Sequence, residues 1–266
     1  MDANKFYRSN QELWDRWTEI NARSAEYDVD GFKAGRMTLK PFELEEVGDV
    51  RGKSLLHLQC HFGLDTMSWA RLGARATGVD FSARAIELAG RLNSELGLGV
   101  RFIKANIFDL PGLLDEQFDI VYTSFGVLCW LHDHARWASI VARCLRPGGL
   151  FYLAEFHPFM LQFDTGYHKV DYPYFKQAEP VEEVCQGVYS DPGADISHVT
   201  YEWPHPPSEI ITALLSQGLA IERFREYPFS IWKYFDDMRQ DSQGYWWLNG
   251  AANPIPLMFS IRARKG

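Results

Sequence analysis

The stretch LLHLQCHFGLDT, residues 55–66, decides how this chain folds. Three apolar residues in four, Leu55, Leu56 and Leu58, end in a polar knot with a single glycine, Gly63. Such a junction closes a β-strand and opens a helix, the place where α/β proteins hold nucleotides. The residues beyond the knot keep the matching rhythm. LDTMSWARLG reads as a helix stopped by Gly73. ARATGVD (74–80) reads as a second strand ending in Asp80. SARAIELAGRLNSELG reads as a second helix, with Ser82 at its N-cap and Ile86, Leu88, Ala89 and Leu92 on its apolar face.

The alternation continues. VRFIKANIFDL (100–110) holds a third strand. FDIVYTSFGVL is a fourth, nearly all apolar, as in a strand buried on both faces. DHARWASIVARCL is a helix with Asp133 as N-cap, RPGG a turn, and LFYLAEF a fifth strand. Strands alternating with helices imply a parallel sheet covered on both faces. Upstream, Leu13, Trp14, Trp17 and Ile20 predict a helix over 10–26, and 27–50 reads as a loop with a short helix. After Phe156 the rhythm stops. Residues 157–207 are rich in Pro, Tyr, Phe and His, and so long an insertion reads as a lid. SEIITALLSQGL restores a helix, and IERFREYPF and NPIPLMFSIRARK read as an antiparallel strand pair. The expected units are 1–50 (N-terminal helical cap), 51–156 (core), 157–207 (lid) and 208–266 (helix and strand pair completing the sheet).

Composition bounds the function. The 266 residues are 46% hydrophobic and 15% aromatic, and carry a formal charge of −8. That balance argues against nucleic-acid or anionic-membrane partners, which need clustered Lys and Arg. No apolar run approaches the roughly 20 residues that span a bilayer. MDANKFYRSNQ has no apolar signal core, and the four cysteines lack CxxC spacing, so buried free thiols in a cytoplasmic protein are expected. No His/Cys/Asp/Glu group shows metal-ligand spacing, so no metal is expected.

In an open α/β sheet the ligand lies beyond the carboxyl ends of the strands. The residues there are Gln59, His61 and Gly63 after strand 1, Asp80, Phe81 and Ser82 after strand 2, Asn106 and Ile107 after strand 3, and Ser124 at strand 4. Asp80 has the offset at which a carboxylate takes ribose hydroxyls. Phe81 and Ile107 offer faces to a base, and Asn106 can donate and accept at its edge. The loop is neither G-x-G-x-x-G nor a P-loop, which disfavours NAD and other diphosphates and points to an adenosine without a pyrophosphate.

These motifs resemble class I S-adenosylmethionine-dependent methyltransferases over residues 50–155. GVDFS, KANIFDL, FDIVYTSFGVLCWLHD and LRPGGLFYLAEF match the family's second to fifth motifs, with Asn106 for the commoner Asp. ARSAEYDVDGFKAG (22–35) and the altered first motif resemble a bacterial small-molecule subgroup. The resemblance implies a seven-stranded Rossmann-like sheet, mostly parallel with a C-terminal antiparallel strand pair, and S-adenosyl-L-methionine as cofactor. His57 stands in place of an acidic residue, and Gln59 and His61 in place of glycines, which predicts a wider backbone in this loop. Gln59 is read as a partner for the cofactor's amino or carboxylate group.

Methyl transfer asks for alignment, desolvation and, for a hydroxyl, a base. The candidates beyond strands 4 and 5 are His132, Glu155, His157 and His205, with His157 leading. Trp130, Phe159, Tyr201 and Trp203 are candidates for an acceptor pocket. A lid with many aromatics and few Lys or Arg favours a small apolar or aromatic acceptor, with oxygen ahead of nitrogen. The competing reading is a non-catalytic binding module on the same fold. The aromatic tail IWKYF…GYWWLNG reads as a cap on the sheet or a homodimer contact.

Overall fold

The computed structural model describes residues 3–249 and 255–266. The first two residues of MDANKFYRSNQ, Gly250 of the aromatic tail and the Asn-Pro that opens NPIPLMFSIRARK lie outside the described residues. Three helices come first: α1 (Ala3–Arg23), α2 (Val29–Lys33) and α3 (Pro41–Val47). The core then runs as β1 (Ser54–Leu58), α4 (Leu64–Arg71), β2 (Arg75–Asp80), α5 (Ala83–Leu96), β3 (Arg101–Lys104), β4 (Phe118–Ser124), α6 (His134–Cys144) and β5 (Leu145–Phe156). The insertion holds α7 (Pro158–Leu161) and a hairpin, β6 (Val181–Gln186) with β7 (Ser197–Glu202). The chain closes with α8 (Pro207–Ser216), β8 (Leu219–Tyr227), a second hairpin of β9 (Met238–Gln240) and β10 (Trp246–Leu248), and β11 (Met258–Lys265).

The main sheet has seven strands in the order β3-β2-β1-β4-β5-β11-β8. β11 runs antiparallel to both its neighbours, and the pairings among β1 to β5 are parallel. The order reverses between β1 and β4, so a crevice opens at their carboxyl ends. The fold expected from the sequence is the one observed.

Alternation along the strands builds the two covered faces. Leu56 and Leu58 of β1, Phe151 and Leu153 of β5 and Phe259 and Ile261 of β11 join one core with Trp137 of α6 and Leu214 of α8. The intervening Leu55, Leu150, Tyr152 and Met258 join the other, with Phe42 of α3 and Trp69 of α4. The two predicted caps form: Ser82 accepts from Ala85 N and Asp133 from Arg136 N.

Three expectations are corrected. The first helix starts at Ala3 rather than near residue 10, because Phe6 and Tyr7 also pack, against Tyr201, Trp203 and Phe108. Residues 27–50 hold two short helices rather than one. The insertion carries a hairpin where an irregular segment was expected. In the aromatic tail, Tyr245 and Trp247 pack on Phe229, and Tyr245 also reaches Phe42.

α1 serves as a strap. Gln11 Nε2 donates to Phe81 O at 2.6 Å, and Asp15 Oδ1 accepts from Ser82 Oγ at 2.6 Å and Arg84 N at 3.0 Å. One turn away, Asn10 exchanges two hydrogen bonds with the main chain of Tyr201 on β7. The helix thus ties the end of β2 to the inserted hairpin.

Candidate functional site

The knot after β1 is the tightest backbone in the crevice. Gln59 and His61 have φ of 58° and 51°, the left-handed region, and Gly63 has 78°. A wider backbone was expected at Gln59 and His61. Instead both keep a glycine-like conformation and carry side chains there, at a strain of about 1–2 kcal/mol each. The surroundings hold them. His61 N donates to Asp80 Oδ2 at 2.7 Å, and Cys60 N to Val79 O at 2.9 Å. Gly63 permits no side chain: a Cβ would lie 2.5 Å from the Phe102 ring.

Beneath the strap and the inserted hairpin lies a cavity of about 1310 Å³. That exceeds the ~300–1,000 Å³ of a typical single-ligand site. Of the strand-end residues singled out from the sequence, Gln59, His61, Gly63, Asp80, Phe81, Asn106, Ile107 and Ser124 line it. Ser82 does not; it is fully buried, and its hydroxyl is committed to Asp15 and Ala85 N.

Several polar groups are poised there. Asp80 is 8% exposed and accepts from His61 N and Ser82 N. Burial pushes its carboxyl up to about 6, against the pull of those two bonds. Gln59 donates through Nε2 to Val127 O at 2.9 Å, while its Oε1 has no partner. His61 Nε2 is also buried and unpartnered, between the rings of Trp14 and Tyr27, and burial lowers its pKa to about 3. Asn106 Oδ1 accepts from Phe108 N. Ser124 Oγ donates to Asp65 Oδ2 at 3.4 Å. Asp65, also on the cavity wall and raised by burial, was not singled out from the sequence because it looks like an ordinary first-turn helix acid. His57 of β1 also lines the cavity, paired through Nδ1 with Thr66 Oγ1 and kept neutral by burial, its pKa about 3.

The four candidate bases divide. His157 turns away from the cavity: its Nε2 lies 3.1 Å from Glu226 of β8, and its Nδ1 accepts from Phe159 N as the cap of α7. His132 also stands outside, its Nδ1 bonded to the Tyr7 hydroxyl. His205 reaches the wall with its Nε2 at Leu131 O and its Nδ1 facing Glu209 Oε2. Glu155 reaches the wall too, but its carboxylate accepts from the main-chain N–H groups of Gly126, Val127, Leu128 and Phe156. Burial raises its carboxyl against the pull of these four bonds, which commit it as an anchor for the loop after β4. Of the suggested acceptor-pocket aromatics, Trp130 and Trp203 line the cavity.

A better-placed carboxylate was missed. Glu202 ends β7 and faces the cavity. Trp203 N donates to Cys129 O at 2.7 Å, which pins this end of β7 to the loop after β4. Glu202 meets the Cys129 thiol there, and its carboxyl is pushed up to about 7, by burial first and then by the charge of Glu183. The same wall carries Phe163, Tyr172, Trp232 and Tyr234 together with Asp164, Asp171, Glu183 and Lys233.

Residues 56–153 match a family described as "Methyltransferase domain". The Ubiquinone biosynthesis O-methyltransferase of Xanthomonas oryzae pv. oryzae (strain PXO99A) is 30% identical over 131 residues, 48% of this chain and 54% of that protein. The chain therefore spans about half the length of the curated relatives it matches. Among solved structures, an S-adenosylmethionine dependent methyltransferase from Mesorhizobium loti is 20% identical with a TM-score of 0.56, covering 85% of this chain and 96% of that one. DhpI in its complex with SAH covers 98% of this chain and 97% of its own, at 19% identity and a TM-score of 0.56.

Proposed function

We propose that this chain, whose residues 56–153 match a methyltransferase domain, is a class I S-adenosylmethionine-dependent enzyme that transfers a methyl group to a small acceptor, with oxygen favoured over nitrogen. The observation that carries the reading is one cavity with two chemically different ends. At one end Asp80, Asn106, Ile107 and the unpartnered Gln59 Oε1 form a cradle for a nucleoside bearing an ammonium group. At the other, Glu202 stands among aromatic rings.

The residues present fit S-adenosyl-L-methionine. Asp80 accepts from the ribose hydroxyls, Phe81 and Ile107 flank the base, and Gln59 Oε1 accepts from the amino group. The bound sulfonium supplies an electrophilic methyl group. The strap and hairpin exclude water, and the aromatic wall selects an apolar or aromatic acceptor. Glu202 would take the hydroxyl proton as the acceptor oxygen bonds to the methyl carbon and the carbon–sulfur bond breaks, releasing the neutral thioether S-adenosylhomocysteine; a carboxyl held near neutrality suits that task. In this reading 1–50 caps the site, 51–156 binds the cofactor, 157–207 closes over the acceptor and 208–266 completes the sheet. No helix among the described residues is long and apolar enough to cross a membrane. The free cysteines suit a reducing cytoplasm.

Calorimetric titration with S-adenosylmethionine, NAD and NADP, then assay of S-adenosylhomocysteine release with phenols and amines, tests the proposal. Selective binding of the sulfonium nucleoside with turnover on a hydroxyl is expected. Failure of the folded protein to bind it overturns the reading. Binding with no turnover on any acceptor leaves the non-catalytic module.

A further inference from the structure

Where α6 begins against α8, His134, His205 and Glu209 each bring one ligand atom within 4.8 Å of the others. Both histidines are nearly shut off from solvent, at 1% and 5% exposure. Their hydrogen bonds settle which nitrogens carry protons. A main-chain carbonyl only accepts. Nε2 of His205 lies 2.8 Å from Leu131 O, and Nε2 of His134 lies 3.3 Å from Leu128 O, so both are N–H donors. In a neutral ring the other nitrogen is then a bare lone pair.

That leaves a mismatch. His205 Nδ1 faces Glu209 Oε2 at 3.0 Å, acceptor against acceptor. His134 Nδ1 is buried with no partner at all, and the two ring centroids are 3.5 Å apart. Two nitrogen lone pairs and a carboxylate converge, three acceptors with no donor among them.

We propose that Nδ1 of His134, Nδ1 of His205 and the carboxylate of Glu209 bind one divalent transition-metal ion of the zinc class. Two imidazoles and a carboxylate are a zinc-type donor set, and each ring already donates its other N–H to a main-chain carbonyl, the usual outer-shell support. Bonds of about 2.0–2.1 Å in tetrahedral geometry separate ligand atoms by about 3.4 Å, so atoms now within 4.8 Å of one another draw in by about 1.4 Å at most. The fourth position is left for water. Lys176 is the competing cation: its Nζ lies 3.7 Å from Glu209 Oε1, the oxygen turned away from His205, and donates to His132 O. The ion would clamp α6 to α8 and fix the segment from Leu128 to Leu131, whose Cys129 and Trp130 form cavity wall. In the sequence the group shows only as H-x-x-x-E at 205–209, one helical turn, with the third ligand 71 residues upstream.

The test is titration of the chelator-treated full chain with Co²⁺ and then Zn²⁺, read by absorption and thermal unfolding. One equivalent of Co²⁺ should give ligand-field bands without a thiolate charge-transfer band, and Zn²⁺ should displace it. The unfolding midpoint should rise by about 5–10 °C with metal a hundredfold above Kd. Glu209→Gln and His134→Gln should each weaken binding more than about tenfold, with circular dichroism confirming that both fold. The proposal is overturned if the folded protein takes up no Co²⁺, because a proton then fills the gap as a His205 imidazolium. It is equally overturned by a thiolate band, or by an affinity that neither variant moves.

Discussion

Lowering the pH from 7.5 to 5 should weaken S-adenosylmethionine binding about tenfold, and Asp80→Asn should abolish that dependence. The size follows from one carboxyl. Burial raises Asp80 to about 6, and only its ionised form accepts from two ribose hydroxyls while holding His61 N and Ser82 N. One pH unit below that value about one molecule in eleven is ionised, which removes roughly 1.4 kcal/mol of binding free energy. In the Asn variant the amide nitrogen cannot accept. A hydrogen bond to a charged acceptor contributes about 1.5–3 kcal/mol, so Kd at pH 7.5 should rise roughly 10–100-fold. At pH 5 the gap between the two proteins should be about tenfold narrower. Calorimetry in two buffers of different ionisation enthalpy would also show proton release near pH 6, as binding holds the carboxylate ionised. The sign for stability is opposite. The folded pKa, about 6, lies above the unfolded 3.8, so the native state holds the extra proton between these values and stability falls as pH rises through that window. The fall amounts to about 3 kcal/mol for this group and should be missing from Asp80→Asn. A wild-type Kd that stays flat from pH 7.5 to 5, or an Asn variant that binds normally at pH 7.5, would refute the reasoning.

Two other outcomes are expected. The turnover rate should rise with pH as Glu202 ionises and level off above about 7; Glu202→Gln should lower kcat about a hundredfold or more, erase that limb of the profile and leave the cofactor's Kd unchanged. In urea unfolding, Gln59→Gly should stay within about 1 kcal/mol of the wild type, since relief of the left-handed backbone offsets the lost bond to Val127 O, whereas Gln59→Val should lose more than about 2 kcal/mol.

Much of the sheet was legible because its determinants are local. The apolar run of β4, the caps Ser82 and Asp133 and the carboxylate ending β2 each announce themselves within a few residues. The strap was not legible, because its contacts join residues 67 to 191 positions apart: Asp15 to Ser82, Gln11 to Phe81, Asn10 to Tyr201. The hairpin was hidden for another reason. β6 is mostly exposed, so VEEVCQ lacks the buried alternation that marks a strand.

The candidate bases expose a different limit. Chain position sets which strand end a residue occupies, but its side chain's direction decides what it meets, and successive residues leave an extended backbone on opposite sides. Glu155 and His157 flank Phe156 and share a side in sequence, yet Glu155 bends into the loop after β4 while His157, capping α7, swings to Glu226 on β8. Phe156 itself lines the cavity. A base had to come from an element lying over the strand ends, not from the strands. The Trp203–Cys129 bond, which joins the inserted hairpin to the loop after β4, and the two bonds of Asn10 to Tyr201 bring Glu202 there. In the proposed reading the cofactor end of the cavity is written in the strands, and the acceptor end in what is folded over them.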